Sequence, residues 1–444
     1  MVSYDCTLEK TVRMNEFSQY IELVKEDLHR ISSAIHANPE VAFFEKESSS
    51  LLISFLEQRG FSVERNFKEM ETAFKTTKKV CGGGLSVLFI SEYDALPGLG
   101  HACGHNLIAV SGLAAFYAAV SYAEKYQIPA TFTLMGTPAE ETYGGKTILK
   151  KRGAFEGYDV CFLLHPFAGT ATDPGWLSSV KIRVKFSGKA SHAASKPEDG
   201  LNALDAAVLL YNSVAMWRQQ LPERSRIHGI FTNGGTAPNI IPDKSEMFWN
   251  LRAPELKTAA MMQERFHKMV QAAADSTGTT AEEEIVAVYE PSVFNAPLNE
   301  LYGDLWEEMF GETILRGNGT EGRASSDFGD VSVLIPGANY LYDITHGAGH
   351  PLHTVEFRED ASGDYAFENT MRASAITAAA ALRFLKDRDF REKVLASFHI
   401  YSMNQKLITI ARKIVQTLFI QYHICILLPT VSHNIIIVIF STTA

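Results

Sequence analysis

The chain has 444 residues, of which 46% are hydrophobic and 21% charged, so it is long enough for two globular domains with sizeable cores. The net charge of −10 and the lack of a lysine or arginine cluster argue against a nucleic-acid partner. The five cysteines are odd in number and scattered, and the N-terminus lacks the apolar segment of a secretory signal. We therefore expect a cytoplasmic protein without a disulfide framework.

The first part of the chain alternates predicted helices and strands. Apolar residues recur at helical spacing over 16–35 and 46–59, and apolar runs predict strands at 85–90, 131–137 and 159–164. A Cys-Gly-His loop, a Glu-Glu pair and a His-Pro pair follow these three strands in turn. Open α/β sheets bind ligands at the carboxyl ends of their strands, so we expect these side chains to form one site.

The loop with the sequence GHACGHN carries Cys103 and His105 and precedes an Ala-rich run, 107–123, with helical spacing. In an extended backbone the two side chains would point to the same side. Thiolate and imidazole groups suit zinc, and the alternative is a buried cysteine beside a helix cap. Two roles are open for Asp94 just before the loop: orienting a ligand imidazole, or capping the turn.

A complete strand-helix-strand-strand-helix-strand pattern follows, which is typical of a ferredoxin-like βαββαβ domain. Its strands are predicted at 180–187, 227–233, 245–252 and 281–289, and its helices at 200–219 and 256–276. Further helices are predicted near 298–310 and 357–386. We therefore predict a catalytic domain formed by 16–178 and 291–390, an inserted domain at 179–290 and a tail at 391–444.

The segment EYDALPGLGHACGHN, residues 92–106, resembles a known enzyme family. This is the two-metal amidohydrolase and carboxypeptidase family that includes aminoacylase, carboxypeptidase G and the indoleacetyl-amino-acid hydrolases. The segment is most like the sub-branch of p-aminobenzoyl-glutamate hydrolases and Xaa-Arg dipeptidases, and the resemblance covers about residues 20–390. It implies an α/β fold, in which a mixed-sheet metallopeptidase catalytic domain carries an inserted ferredoxin-like lid and dimerisation domain.

The resemblance also implies a metal site. Two divalent ions, zinc or alternatively manganese, cobalt or nickel, would be bound by Cys103, His105, Glu141, His165 and His353. Its general base would be Glu140, beside the ligands rather than among them. Among the histidines near the C-terminal ligand position, only that at 353 lies in the family's P-x-H-T-x-x-F setting. Those at 346 and 350 would line the pocket or face solvent.

Three residues of the inserted domain match substrate-binding motifs of the family. His192, in GKASHAA, would reach the substrate carbonyl, and Asn239, in GGTAPNIIP, and Arg252 would hold a substrate carboxylate. From the residues alone, a surface histidine and a solvated arginine are the ordinary alternatives. In several relatives the lid histidine enters the neighbouring subunit's site, so the resemblance implies a homodimer, the alternative being a monomer whose lid closes on its own site.

The expected activity is metal-dependent hydrolysis of amide or peptide bonds in small substrates with a free carboxylate. Dipeptides of the Xaa-Arg, Xaa-Lys or β-alanyl type are favoured over N-acyl amino acids and p-aminobenzoyl-glutamate. A catalytically silent metal-binding regulatory protein is the alternative of another class. The intact set of five ligands together with Glu140 argues against it.

The tail at 391–444 falls outside the resemblance. Two short apolar runs, 424–428 and 435–440, are separated by polar residues and a proline. A membrane-spanning helix needs about 20 mostly apolar residues, so the interrupted, β-branched runs favour strand or aggregation-prone segments over an anchor. An ordered segment, a membrane anchor and an aberrant terminus all stay open.

Overall fold

The computed structural model describes residues 14–401 and 403. The chain divides into two compact units, residues 1–394 and 395–444. In the second unit only a helical stretch, 395–401, and residue 403 are described. The predictions about the apolar runs of the tail lie outside the described residues.

Ten strands form two separate sheets in the described part of the chain. In chain order they are β1 (Val63–Arg65), β2 (Phe74–Val80), β3 (Ser86–Ser91), β4 (Ala130–Gly136), β5 (Val160–Phe167), β6 (Ser178–Ser187), β7 (Arg226–Asn233), β8 (Lys244–Ala253), β9 (Thr280–Tyr289) and β10 (Gly337–Asp343). The central strands β3, β4 and β5 are almost entirely buried. Burial on both faces explains why they are continuous apolar runs in the sequence.

Helices surround both sheets. In chain order they are α1 (Met14–Glu22), α2 (Lys25–Ala37), α3 (Lys46–Gln58), α4 (His105–Lys125), α5 (Gly145–Lys151), α6 (Ala203–Trp217), α7 (Leu256–Thr277), α8 (Ala296–Phe310), α9 (Phe328–Ser332), α10 (Val355–Asp360) and α11 (Asp364–Lys386). Two predicted helical regions, 16–35 and 357–386, are each broken into two helices. The second break contains Gly363, whose extended backbone precedes α11.

The larger sheet is mixed, as predicted, with the strand order β1-β2-β4-β3-β5-β10. The strands β4, β3, β5 and β10 are mutually parallel, while β1 and β2 pair antiparallel. Apolar residues of α1, α2, α4 and α11 form the core on one face, and α5 and α9 contribute to the core on the other. Parallel pairing places the carboxyl ends of four strands along one edge of the sheet.

The helix α4 packs tightly against β3. A Cβ atom at Gly112 would lie 2.3 Å from Ser91 Oγ and 2.6 Å from the carbonyl oxygen of Ile90, so only glycine fits there. Within the described residues, α4 is also the one helix long and apolar enough to cross a membrane, but 89% of its most apolar window is buried inside the protein. Its apolar character is therefore accounted for by its place in the core.

The smaller sheet is antiparallel, with the strand order β7-β8-β6-β9, and its core includes residues of α6 and α7. The chain order β6-α6-β7-β8-α7-β9 is the predicted βαββαβ pattern, and each predicted strand end lies within two residues of the observed one. The domain boundaries at 178/179 and 290/291 stay predictions, because the division into compact units falls after Val394.

Candidate active site

The five predicted metal ligands lie at the carboxyl edge of the larger sheet. Cys103 lies in the loop after β3, His105 begins α4, and Glu141 follows β4. His165 lies on β5, and His353 follows β10. Parallel pairing of these strands brings together side chains that are far apart in the sequence, as expected for an open α/β sheet.

Two local predictions about the ligands were wrong. Cys103 does not lie on extended backbone, because a turn leads to Gly104 in the left-handed conformation (φ 75°), and the helix begins at His105. His165 does not follow its strand but lies within it, because β5 continues to Phe167 and pairs with β10 throughout. Neither difference separates the side chains of the cluster.

The ligand side chains approach each other closely. Cys103 Sγ lies 3.5 Å from His165 Nε2. Glu141 Oε1 lies 3.7 Å from both His105 Nε2 and His353 Nε2. The exposed loop histidines at 346 and 350 are held elsewhere, the first by ring contact with Tyr365 and the second by Asp360 Oδ2 at 2.7 Å. Of the three histidines near the C-terminal ligand position, only His353 reaches the cluster.

The donor atoms form overlapping groups that suit metal binding. In each group the donors lie within 4.8 Å of one another, and the groups are Cys103–His105–His165, Cys103–Glu141–His353 and His105–Glu140–Glu141. Shared members suit two ions that have ligands in common, and Cys, His and Glu donors suit zinc. His105 Nε2 and Glu141 Oε1 are buried without a hydrogen-bond partner among the described residues, as expected of atoms that serve a metal.

Asp94 both orients a ligand and fixes the backbone beside it. Its Oδ1 lies 3.2 Å from His105 Nδ1, and its Oδ2 accepts a hydrogen bond of 2.9 Å from the backbone N–H of Glu141. Burial acts to raise the pKa of Asp94, but the hydrogen bonds from His105 and from the backbone of Glu141 lower it overall. A charged Asp94 keeps the proton on His105 Nδ1, so Nε2 faces the cluster as a free ligand atom.

Burial keeps two other ligand imidazoles neutral. It lowers the pKa of His165 to about 3 and that of His353 to about 4, with nearby His105 acting in the same direction. His165 Nδ1 donates to the carbonyl oxygen of Pro166 at 2.7 Å, which leaves Nε2 facing Cys103. Neutral imidazole is the form that binds metal, so these histidines need not lose a proton to become ligands.

The carboxyl groups of Glu140 and Glu141 are buried at the same place. Burial raises the pKa of Glu140, with Glu92 acting in the same direction, and burial and Glu140 raise that of Glu141 to about 8. Positive charge from bound cations would oppose both effects and favour the ionised carboxylates. The pair is therefore suited to one carboxylate that binds metal and a neighbour that exchanges a proton.

Two buried lysines support the site, and the sequence did not single out either as functional. Lys146 Nζ lies 2.6 Å from Glu92 Oε1 and 2.5 Å from Asp327 Oδ1, at the back of the cluster. Lys181, on β6, donates to the backbone oxygens of Glu141 and Thr142 at 2.8 and 3.2 Å. One signal for Lys181 was its position in β6, where alternate residues form the core and the lysine faces away from it.

A cavity of about 540 Å³ joins the cluster to the smaller sheet. The metal edge contributes Cys103, Glu140, Glu141, His165 and His353, and the smaller sheet contributes Lys181, His228, Trp249, Arg252 and Tyr289. Arg252 Nε is buried without a hydrogen-bond partner among the described residues. His228 was not predicted as a site residue, and burial together with Arg252 lowers its pKa to about 4.

The other two predicted substrate-binding residues lie elsewhere. His192 and Asn239 belong to two loops that touch each other, since the backbone N–H of Ala193 donates to the carbonyl oxygen of Asn239 at 3.0 Å. Neither residue lines the cavity of its own chain. His192 Nδ1 instead accepts hydrogen bonds from the N–H groups of Ala194 and Ser195 at 3.2 Å.

Comparison with known proteins identifies the family. The family model described as Peptidase family M20/M25/M40 matches residues 88–366, which is more than half of the chain. The chain belongs to this family. Among relatives in peptidase family M20/M25/M40, the Xaa-Arg dipeptidase of Mus musculus is 36% identical over 409 residues, covering 89% of the chain and 94% of that relative. One of the subunits of the p-aminobenzoyl-glutamate hydrolase of Escherichia coli is 33% identical over 294 residues, covering 61% and 60%.

Solved structures share the fold. An aminobenzoyl-glutamate utilization protein from Klebsiella pneumoniae has a TM-score of 0.62 at 18% identity, covering 85% of the chain and 100% of that structure. A dinuclear metal-binding peptidase of the M20 family from Bacillus subtilis has a TM-score of 0.56 at 16% identity, covering 81% and 99%. The predicted family and sub-branch are confirmed. The chain is therefore a metal-dependent hydrolase of the dipeptidase or amidohydrolase type.

Proposed function

We propose that the chain hydrolyses the amide bond of small dipeptides that carry a free carboxylate, with zinc as its metal. The observation that carries this proposal is one cavity that joins the five-ligand cluster, Glu140 and the guanidinium of Arg252. Its volume of about 540 Å³ suits a small molecule rather than a protein chain. The arginine would bind the substrate carboxylate through two parallel hydrogen bonds.

Cys103, His105, Glu141, His165 and His353 would hold two divalent ions. Such ions supply Lewis-acid polarisation of the substrate carbonyl and promote ionisation of water. Glu140 would take the proton from the attacking water and deliver it to the leaving amine, which general acid–base catalysis requires of one group acting twice. The backbone carbonyl oxygen of Glu140 accepts a hydrogen bond of 2.8 Å from the Tyr289 hydroxyl, which fixes the base in the cavity wall.

Dipeptides with a C-terminal arginine or lysine are the first substrate candidates. They are favoured by the identity of 36% to a relative named as a dipeptidase for Xaa-Arg. A second candidate is an amide with a dicarboxylate leaving group, such as p-aminobenzoyl-glutamate. It is favoured by the cavity itself, whose described lining carries Lys181 and Arg252 but no carboxylate apart from Glu140 and Glu141.

Hydrolysis of a substrate panel tests the proposal. The zinc-loaded protein would be incubated with Xaa-Arg, Xaa-Lys and β-alanyl dipeptides, N-acyl amino acids and p-aminobenzoyl-glutamate, and the products read by mass spectrometry. We expect faster cleavage of the basic dipeptides, abolition by a chelator and recovery with zinc. Preferred cleavage of p-aminobenzoyl-glutamate would select the second candidate. Zinc binding without cleavage of any member would instead favour a silent regulatory protein.

We further propose that the protein is a homodimer that forms through the smaller sheet. Its edge strand β7 exposes Ile230 (62%) and Phe231 (40%), and the nearby helix α6 exposes Met216 (74%). Exposed apolar strand edges are usually covered by a partner. The position of His192 outside its own cavity supports a role in the site of the second subunit, where the imidazole would stabilise the oxyanion. A cytoplasmic location stays a prediction.

A further inference from the structure

Glu45 is a fully buried carboxylate that contacts the loop of the catalytic pair. It immediately precedes α3, but its side chain does not cap that helix. Its Oε1 accepts a hydrogen bond of 2.9 Å from the backbone N–H of Ala139, and its Oε2 accepts one of 2.9 Å from the hydroxyl of Thr72. No lysine or arginine of the described residues forms an ion pair with it. A carboxylate buried without a cation costs free energy, so its retention asks for a function.

The residue that Glu45 contacts has an unfavourable backbone conformation. Ala139 has φ of 64°, in the left-handed region that residues with a Cβ atom rarely adopt. Its carbonyl oxygen accepts hydrogen bonds from the N–H groups of Gly144 and Gly145 at 2.9 and 3.1 Å. Glu45 thus supplies the partner for the N–H of a residue whose carbonyl is held by the following turn. Strained residues of this kind persist where surrounding contacts fix them, often at active sites.

The conformation of Ala139 sets the direction of the next residue. Glu140 follows it directly and lines the cavity, while the backbone of Glu141 is held separately by Asp94. Loss of the contact to Ala139 would therefore act on the proposed base more than on the adjacent ligand. Errors of about 1 Å in the position of a catalytic group can reduce the rate by about a hundredfold.

We propose that Glu45 is a positioning residue, whose carboxylate holds Ala139 in the left-handed conformation that directs Glu140 into the cavity. This inference rests on the proposed function, in which Glu140 is the general base. Burial and the nearby Asp94 raise the pKa of Glu45 to about 7, which agrees with a carboxyl group held without a cation. Its contact needs only an acceptor oxygen, so an amide oxygen in its place serves as well as a carboxylate.

Substitutions at both ends of the contact test the inference. Glu45→Ala removes the acceptor, and Glu45→Asp withdraws it from Ala139 while keeping a buried carboxyl if the first variant does not fold. For each we expect kcat per zinc-loaded site to fall about tenfold or more, with KM within about twofold and zinc content unchanged. Glu45→Gln keeps an acceptor oxygen and should retain most of kcat. Thr72→Val, which removes only the other partner of Glu45, is the matched control and should stay within about twofold.

The double variant Glu45→Asp with Ala139→Gly separates positioning from general stability. Glycine adopts positive φ without the steric penalty of alanine, so it should recover part of the kcat lost in Glu45→Asp. A merely structural role would lower thermal stability and leave kcat per loaded site intact. The inference is overturned if folded Glu45→Asp keeps wild-type kcat, or if Glu45→Gln is as impaired as Glu45→Ala. Failure of the proposed function would show differently, as a wild-type protein that cleaves no amide substrate.

Discussion

Replacement of Lys181 by methionine should weaken the link between the smaller sheet and the catalytic loop. The ammonium donates to the backbone oxygens of Glu141 and Thr142 and to the hydroxyl oxygen of Tyr289, at 2.8, 3.2 and 2.7 Å. Methionine has a similar length and keeps the apolar packing of the stem, so the change isolates the polar contacts. Burial lowers the pKa of Lys181, although Glu140 acts to raise it, so part of the hydrogen-bond energy is already offset by desolvation.

The magnitude follows from the three lost contacts. Hydrogen bonds to charged groups contribute about 1.5–3 kcal/mol each, and relief of the desolvation cost returns a large part of that sum. We therefore expect a net loss of roughly 3 kcal/mol in the free energy of unfolding. At about 2.1 cal/mol/K of unfolding entropy per residue, this lowers the Tm of a unit of this size by about 4 °C. Because the carbonyl groups beside the metal ligand lose their donor, kcat should fall about tenfold.

Thermal unfolding and kcat of the zinc-loaded protein decide the matter, with Lys185→Met as the matched control. Lys185 lies on the same strand and face as Lys181 but is exposed, so the same substitution there should change Tm by less than about 1 °C. If Lys181→Met and the control shift Tm equally and both keep wild-type kcat, the proposed link does not exist. A Tm loss with unchanged kcat would show that the contact stabilises the fold without positioning the loop.

Three further predictions concern the ligands, pH and quaternary structure. Cys103→Ala should lower bound zinc measured after dialysis, whereas His350→Ala should not; the opposite pattern would reassign the ligand. Burial lowers the pKa of His101 to about 3, below its unfolded value near 6.5, so the unfolded state binds more protons between these values and stability is lost as the pH falls below about 6.5. At pH 5 urea denaturation should show about 2 kcal/mol of this loss, and His101→Gln should remove it; an unchanged pH slope would contradict the assignment. Mixing inactive His192→Ala with inactive Glu140→Gln subunits should restore activity in mixed dimers, and confirmed exchange without recovery would exclude a shared site.

Periodicity predicted the smaller sheet well because all of its elements have one clear period. The strands β6 to β9 alternate or run apolar over 8 to 10 residues, and the long helix α7 has a distinct apolar face. The turn before α4 was not predictable in this way, because Gly104 changes the backbone direction within a single residue. Motif spacing therefore predicted the ligands, while their backbone conformation had to come from the structure.

The residues missed by the sequence are buried charges with distant partners. Lysine is almost never fully buried unless it is paired, and the partner of Lys146, Asp327, lies 181 residues away. Glu45 likewise meets Ala139 across 94 residues, and no periodic pattern predicts such a contact. His192 and Asn239 show the converse: the resemblance placed them in the site, but a single chain does not bring them to its own cavity.

The central claim is that Glu140 exchanges a proton while its neighbour Glu141 binds metal. The geometry alone leaves both roles open to Glu140, since one of its oxygens lies within 4.8 Å of donor atoms of His105 and Glu141. The deciding measurement is the zinc content and kcat of Glu140→Gln beside the wild-type protein. Our account predicts unchanged zinc content with kcat reduced about a hundredfold or more. Loss of zinc together with activity would make Glu140 a ligand and contradict the account.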